Sequence, residues 1–135
     1  MAGIETAIRA LLIAESDVTD LVSTRIYPNV APQEATRPFV IYDVTREEHF
    51  SSLDGYSNIS HVNLNIVIWS ESYSEAKDIG GKVRLVLLDY SGTSDTIDIS
   101  WCRHDNSSDT EVWKGDGSEL PLYGIDQEWR IAYLR

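Results

Sequence analysis

Between residues 59 and 90 the spacing of apolar positions changes period once. "ISHVNLNIVIWS" alternates, with Val62, Leu64, Ile66 and Ile68 on one face and His61, Asn63, Asn65, Val67 and Trp69 on the other. That is the pattern of a half-buried strand. After "ESYSEA" the apolar positions recur at three- and four-residue steps: Ala76, Ile79, Gly80, Val83, Leu87 and Tyr90. One helical stripe therefore faces a core over residues 73 to 90. Ser72 and Glu75 have capping-box spacing, and Asp89-Tyr90-Ser91-Gly92 places a glycine where the helix should stop.

The same reading extends to both ends of the chain. Ile4, Ala7, Ile8, Leu11 and Leu12 predict a first helix over residues 4 to 14. Ser16 and Asp17 precede Val18, Leu21 and Val22, which suggests a short second helix or a turn. "TRIYPNVAPQEATRPF" has three prolines and no period, so it reads as a connector anchored by Ile26 and Tyr27. "FVIYDVTRE" predicts the first strand, over residues 39 to 47. "EHFSSLDGYSN" reads as a loop between that strand and the next, with a turn at Asp54-Gly55. "TIDISWCRHD" alternates, placing Ile97, Ile99, Trp101 and Arg103 on one face and Asp98, Ser100, Cys102 and His104 on the other. "NSSDTEVWKGDGSEL" reads as a polar loop, with room for a short strand at Glu111 to Lys114. "YGIDQEWRIAYLR" closes the chain as a strand, with Tyr123, Ile125, Gln127, Trp129, Ile131 and Tyr133 on one face.

The expected order is helix, strand, strand, helix, strand, strand. Strands joined by loops pair antiparallel most simply. The expectation is an α+β domain spanning residues 1–135: a mainly antiparallel sheet of about four strands, with two helices packed on one face and a mostly polar second face.

Composition narrows the function classes. A length of 135 residues fits one domain, and a 42% hydrophobic content supports a core. Twenty-two acidic against eleven basic side chains give a net charge of −11. Such a surface does not build a groove that neutralises nucleic-acid phosphates. It is compatible with a surface past which nucleic acid moves without sticking. The single cysteine, Cys102, excludes an intrachain disulfide. The start, "MAGIETAIRALLIAES", reads as an amphipathic helix and not a signal peptide, and no apolar run approaches the roughly 20 residues that span a bilayer.

Candidate chemistry is sparse. Cys102 and His104 have the spacing of two metal ligands on a strand, but a third and fourth ligand are not evident. "DNSSDTE" from Asp105 to Glu111 is acid-rich but lacks the sixth-position glycine of the calcium-binding helix-loop-helix loop. No G-x-S-x-G and no phosphate-cradling G-x-x-x-x-G-K-[ST] occurs, and Gly80-Gly81-Lys82 falls inside the predicted helix, where the glycines suit close packing on a sheet. Neither a metal, a cofactor nor an enzymatic activity is expected. Trp69, Trp101 and Trp129 lie on strands, as core residues or as interface residues. The apolar Phe50, Leu53 and Tyr56 are unusual for a solvated loop. Together with Asp54 they are the candidate contact with a neighbouring subunit or a partner.

The amphipathic start, "RIYP", "RPFVIYDV", the "LDG" of the first hairpin, "VNLNIVIWSESYSEA" and the closing "YGIDQEWRIAYLR" come in a recognisable order. Together they resemble the tail-completion family of long-tailed bacteriophages, also called tail-terminator or tail-to-head joining proteins. The stretch from 91 to 120 departs most from the pattern. The resemblance implies a small α+β subunit that assembles into a ring, usually a hexamer, at the head-proximal end of the tail tube. It implies a tail tube protein and a head connector protein as partners, no catalytic residues, and a place in the virion after assembly in the host cytoplasm. Two alternatives stay open from the residues alone: a head-completion or connector adaptor, and a soluble module that binds a ligand on its open sheet face.

Overall fold

A computed structural model describes residues 3–29, 37–52, 55–94, 97–113 and 121–134. The chain opens with α1 (Ile4–Ala14) and α2 (Ser16–Val22), then β1 (Ile26–Pro28), β2 (Phe39–Ser52) and β3 (Gly55–Ser70). The helix α3 (Tyr73–Leu87) follows, and β4 (Gly92–Ser94), β5 (Ile97–Trp113) and β6 (Pro121–Leu134) close the chain.

The strands form one six-stranded sheet in the order β1-β2-β3-β6-β5-β4. The pairing of β1 with β2 is parallel and every other pairing is antiparallel. The last strand, β6, lies in the middle, between β3 and β5. This corrects the expected sheet of four strands with two helices: the sheet is mixed, curled and six-stranded, and three helices accompany it. The α+β class itself stands.

The missed elements are short for physical reasons. β1 and β4 have three residues each, too few to display alternation. β1 is held by its surroundings: the Arg9 side chain donates to the Ile26 carbonyl at 3.0 Å, and the Val40 amide donates to the Arg25 carbonyl at 2.9 Å. β4 is held by its buried Ser94, whose hydroxyl donates to the Ala7 carbonyl at 2.8 Å. The third helix, α2, settles as a helix the short helix or turn expected after Ser16, and its Val18 and Val22 are fully buried.

The core lies between the sheet and the helices. Val62, Leu64, Ile66 and Ile68 of β3 are buried, as are Ile125, Gln127, Trp129, Ile131 and Tyr133 of β6. They face Ala76, Ile79, Gly80, Val83 and Leu87 of α3 and Ile4, Ala7, Ile8 and Leu12 of α1. The alternation of β3 and β6 and the stripes of α1 and α3 therefore read correctly, Leu11 being only half-buried.

The ends of α3 use more residues than the capping box. Ser72 accepts from the Glu75 amide at 3.4 Å. Glu75 does not bond back to Ser72. Its carboxylate accepts from the Ser70 hydroxyl at 2.7 Å, and Ser70 in turn accepts from the Ser72 amide at 3.0 Å. At the other end the left-handed residue is Asp89, with φ 58°, a conformation Asp tolerates better than most side chains. The expected stop at Gly92 is displaced, and Gly92 instead opens β4. Of the glycine pair only Gly80 meets the sheet: a Cβ there would lie 3.1 Å from Gln127 Nε2, whereas one at Gly81 would meet nothing within 4 Å.

Two bulges reset the faces of β5. Its register with β6 slips between Ile99 and Trp101 and again between His104 and Asn106. Ile99 and Cys102 are therefore both buried, while Trp101 and Arg103 turn to the opposite face. This overturns the simple alternation expected there, because each extra residue inverts every side chain after it. β2 slips in the same way between Val44 and Arg46 and between His49 and Ser51.

Candidate functional site

The sequence pattern reads the stretch from 47 to 58 as a loop, whereas the backbone of its described residues, 47–52 and 55–58, is strand. β2 and β3 pair through Glu47↔Val62, Glu48↔His61 and His49↔Ser60, and again at Ser51↔Tyr56 and Ser52↔Gly55. The pairing of β3 with its other neighbour, β6, ends at Ile59↔Leu134. Past that pair, residues 55 to 58 continue as one arm of a two-stranded ribbon with β2. Phe50 lies at the register slip of β2, and Tyr56 lies in β3 opposite Ser51. Leu53 and Asp54 lie outside the described residues, as do the side chains of Phe50 and Tyr56. The serines and asparagine of this ribbon carry no alternation, so the sequence pattern gave no sign that the pairing continues.

At the ribbon's base, the buried Tyr133 hydroxyl donates to the Glu47 carboxylate. Burial, and then that bond, push its phenol well above the usual range. This contact ties the root of the ribbon to β6.

The three helices all cover one face of the sheet. The other face is read directly from the ladder. Nearest the ribbon stand Ile59 and Leu134, opposed across β3 and β6 and 41% and 39% exposed. The next row is Glu48, His61, Ala132 and Trp101. The Trp101 ring meets His61 edge-on at 5.2 Å. Then come Arg46, Asn63, Arg130 and Arg103 in one row across four strands. The Arg103 guanidinium stacks 4.7 Å over the Trp101 ring. Glu48 meets Arg46 at 2.7 Å and Arg130 at 3.9 Å. Beyond lie Asp43, Asn65, Glu128 and Asn106, then Ile41, Val67, Asp126 and Ser108. The Asp126 Oδ1 is buried with no hydrogen-bond partner among the described residues, and burial raises its carboxyl above the usual range.

Sequence reasoning missed the arginine row because the bulge in β5 moved Arg103 away from the face it was assigned. One signal was available. An arginine continuing the apolar face of Ile97 and Ile99 conflicts with burial, and a bulge resolves that conflict. Of the tryptophans, Trp129 is core, and Trp69 and Trp101 are half-buried on the uncovered face.

The remaining sequence candidates separate. Cys102 is buried, which pushes its thiol up to about 12, and His104 packs its ring 4.9 Å from that of Trp129. No group of three or more metal-ligating side chains occurs among the described residues. Asp109, from the acid-rich stretch, accepts from Lys77 at 2.8 Å and from the Tyr73 hydroxyl at 2.7 Å, pinning β5 to the start of α3. Those bonds, Lys77 first, hold its carboxyl below the usual range. A cleft of about 560 Å³ opens beside α1, lined in part by Glu5, Asn29, Tyr42 and Asp43, with no lysine or arginine in its lining.

The sequence matches the family described as tail completion protein gp17 over residues 6–118. The chain belongs to that family. The match includes most of the stretch from 91 to 120 and stops short of β6. The family resemblance drawn from "RIYP", "RPFVIYDV" and "VNLNIVIWSESYSEA" is thereby established. Membership makes the chain a tail-completion protein. Its fold is similar to that of a chain in the virion of a native gene transfer agent particle, with a TM-score of 0.75 and 18% identity over 98% of this chain and 95% of the other. No curated protein matches it.

Proposed function

We propose that this protein is the ring subunit that terminates the tail tube and joins tail to head, acting as a structural part without catalysis. The observation that carries this reading is the β2–β3 ribbon, which continues past the last described pair of β3 with β6 on a sheet backed by the helix layer. In a cyclic assembly each subunit presents the same ribbon in the same direction, and six ribbons form a crown suited to the end of a six-fold tube. The tail tube is the partner of the crown, and the head connector meets the opposite side of the ring, at the head–tail junction of the virion.

Phe50, Leu53, Asp54 and Tyr56 are the contact residues of the crown. Changing Phe50, Leu53 and Tyr56 together to Ser leaves the fold intact, since the ribbon end adds little to the core. It weakens capping and leaves tubes of irregular length. Hydrogen exchange on the free protein and on capped tubes checks this directly. Equal exchange of residues 47–58 in both states, with normal capping by the triple variant, removes the ribbon from the mechanism.

A further inference from the structure

The sheet face away from the described helices carries an apolar patch with a basic rim, and the helix layer carries its complement. Ile59, Leu134 and the half-buried Trp101 occupy two successive rows of the ladder beside the ribbon, over the buried Ala132, and the row of Arg46, Arg130 and Arg103 borders them. Tryptophan and arginine around an apolar centre are the residue types that interfaces favour. The row is also costly in an isolated subunit. Arg103 and Arg130 stand directly opposite each other, an arrangement that destabilises a strand pair. Only Glu48 reaches the row within ion-pair distance among the described residues, and Arg130 Nε is buried with no hydrogen-bond partner there.

On the helix layer, Leu85 of α3 is 76% exposed, the most exposed large apolar residue of the described chain. It borders a cleft of about 110 Å³ between α2 and α3, which Glu15, Asp17, Lys82 and Val86 also line. Asp20 is exposed one turn along from Asp17. An apolar knob beside two carboxylates and one ammonium, with Asp20 a turn further along α2, thus sits on the side of the molecule opposite an apolar patch rimmed by three guanidiniums.

We infer that the Trp101–arginine face of one subunit receives the α2–α3 surface of a second copy of this chain, Leu85 packing on the apolar patch and the acids meeting the arginine row. The contact joins two different surfaces, so it is head-to-tail and repeats around a ring. It deepens the ring reading above and rests on it. The ribbon stays free for the tube.

Charge exchange tests the pairing. One protein carries Arg46→Glu with Arg103→Glu and another carries Asp17→Lys with Asp20→Lys. All four positions are exposed, and heat unfolding of each protein checks that the fold is kept. Native mass measurement of the wild type should give a closed oligomer. Each variant alone opposes like charges at every contact, which should raise the concentration for half-assembly roughly a hundredfold. An equimolar mixture should restore rings of wild-type subunit number, because the acidic face of one variant then meets the lysines of the other. Leu85→Ser should weaken the wild-type ring without altering heat unfolding. Rings formed normally by either charge variant overturn this inference and leave the ring reading standing. So does a mixture that fails to assemble when both variants are folded. A face variant that keeps its ring but no longer caps tubes gives the face to a tail partner and overturns the second-copy assignment. A wild type that stays monomeric both alone and on tail tubes overturns the ring reading itself.

Discussion

Gln127 should be the polar hinge-pin between helix and sheet, and replacing it with Leu measures that role. The side chain is 3% exposed in the middle of the core face of β6. Its Nε2 donates to the Gly80 carbonyl of α3 at 2.9 Å, and its Oε1 accepts from Trp129 Nε1 at 3.1 Å. Gln127→Leu keeps most of the volume and removes both bonds. The Gly80 carbonyl lies inside α3 and keeps its helical position. The Trp129 N–H, in a ring that is 1% exposed, loses its acceptor. An orphaned buried donor costs about 1–3 kcal/mol. Taking about 2 kcal/mol, and an unfolding entropy near 2.1 cal/mol/K per residue, the midpoint should fall by roughly 7 °C. Calorimetry on Gln127→Leu, Trp129→Phe and the double variant forms a cycle. Once the indole N–H is gone, the Gln127 change should cost less, with a coupling of about 1 kcal/mol. Additivity within about 0.3 kcal/mol would show that the orphaned indole is not the source of the loss.

Three further outcomes follow from burial and charge. Val83→Asp puts an unpaired charge at a fully buried position of α3 and should cost about 4 kcal/mol or more in chemical denaturation; an unchanged midpoint would refute the buried stripe. The Cys102 thiol, pushed up to about 12 by burial, should resist alkylation at pH 8 in the folded protein and react promptly in denaturant; fast labelling of the native state would contradict its placement. Asp126 has a folded pKa raised by burial, so its penalty is absent below the ordinary aspartate range and present in full above the raised value. Asp126→Asn should therefore raise the unfolding midpoint at pH 7, and the gain should vanish as the pH falls through the ordinary aspartate range; a pH-independent effect would sink that assignment.

What the sequence showed depended on whether a segment's own residues decided its structure. β3 and β6 bury one face each and keep strict alternation, so Val62 to Ile68 and Ile125 to Tyr133 were legible. The stripe and the N-cap of α3 were legible for the same reason. β1 and β4 owe their form to Arg9, Arg25 and Ala7, residues distant in the chain, and three residues cannot show a period. Bulges are the other blind spot. A single slip between Ile99 and Trp101 exchanged the faces of Cys102 and Arg103, and with them the arginine row that the uncovered face is built around. The ribbon was hidden because Ser51, Ser52 and Gly55 take their strand form from pairing and not from pattern. The apolar residues noticed there remain the proposed contact.

We propose that this chain closes a ring on the end of a tail tube. Electron microscopy of the purified protein, alone and mixed with unterminated tail tubes, tests it most directly. Six-fold rings should sit at one end of each tube, with the ribbons toward the tube. Tubes that keep bare ends, or protein bound along their length or at both ends alike, would contradict it.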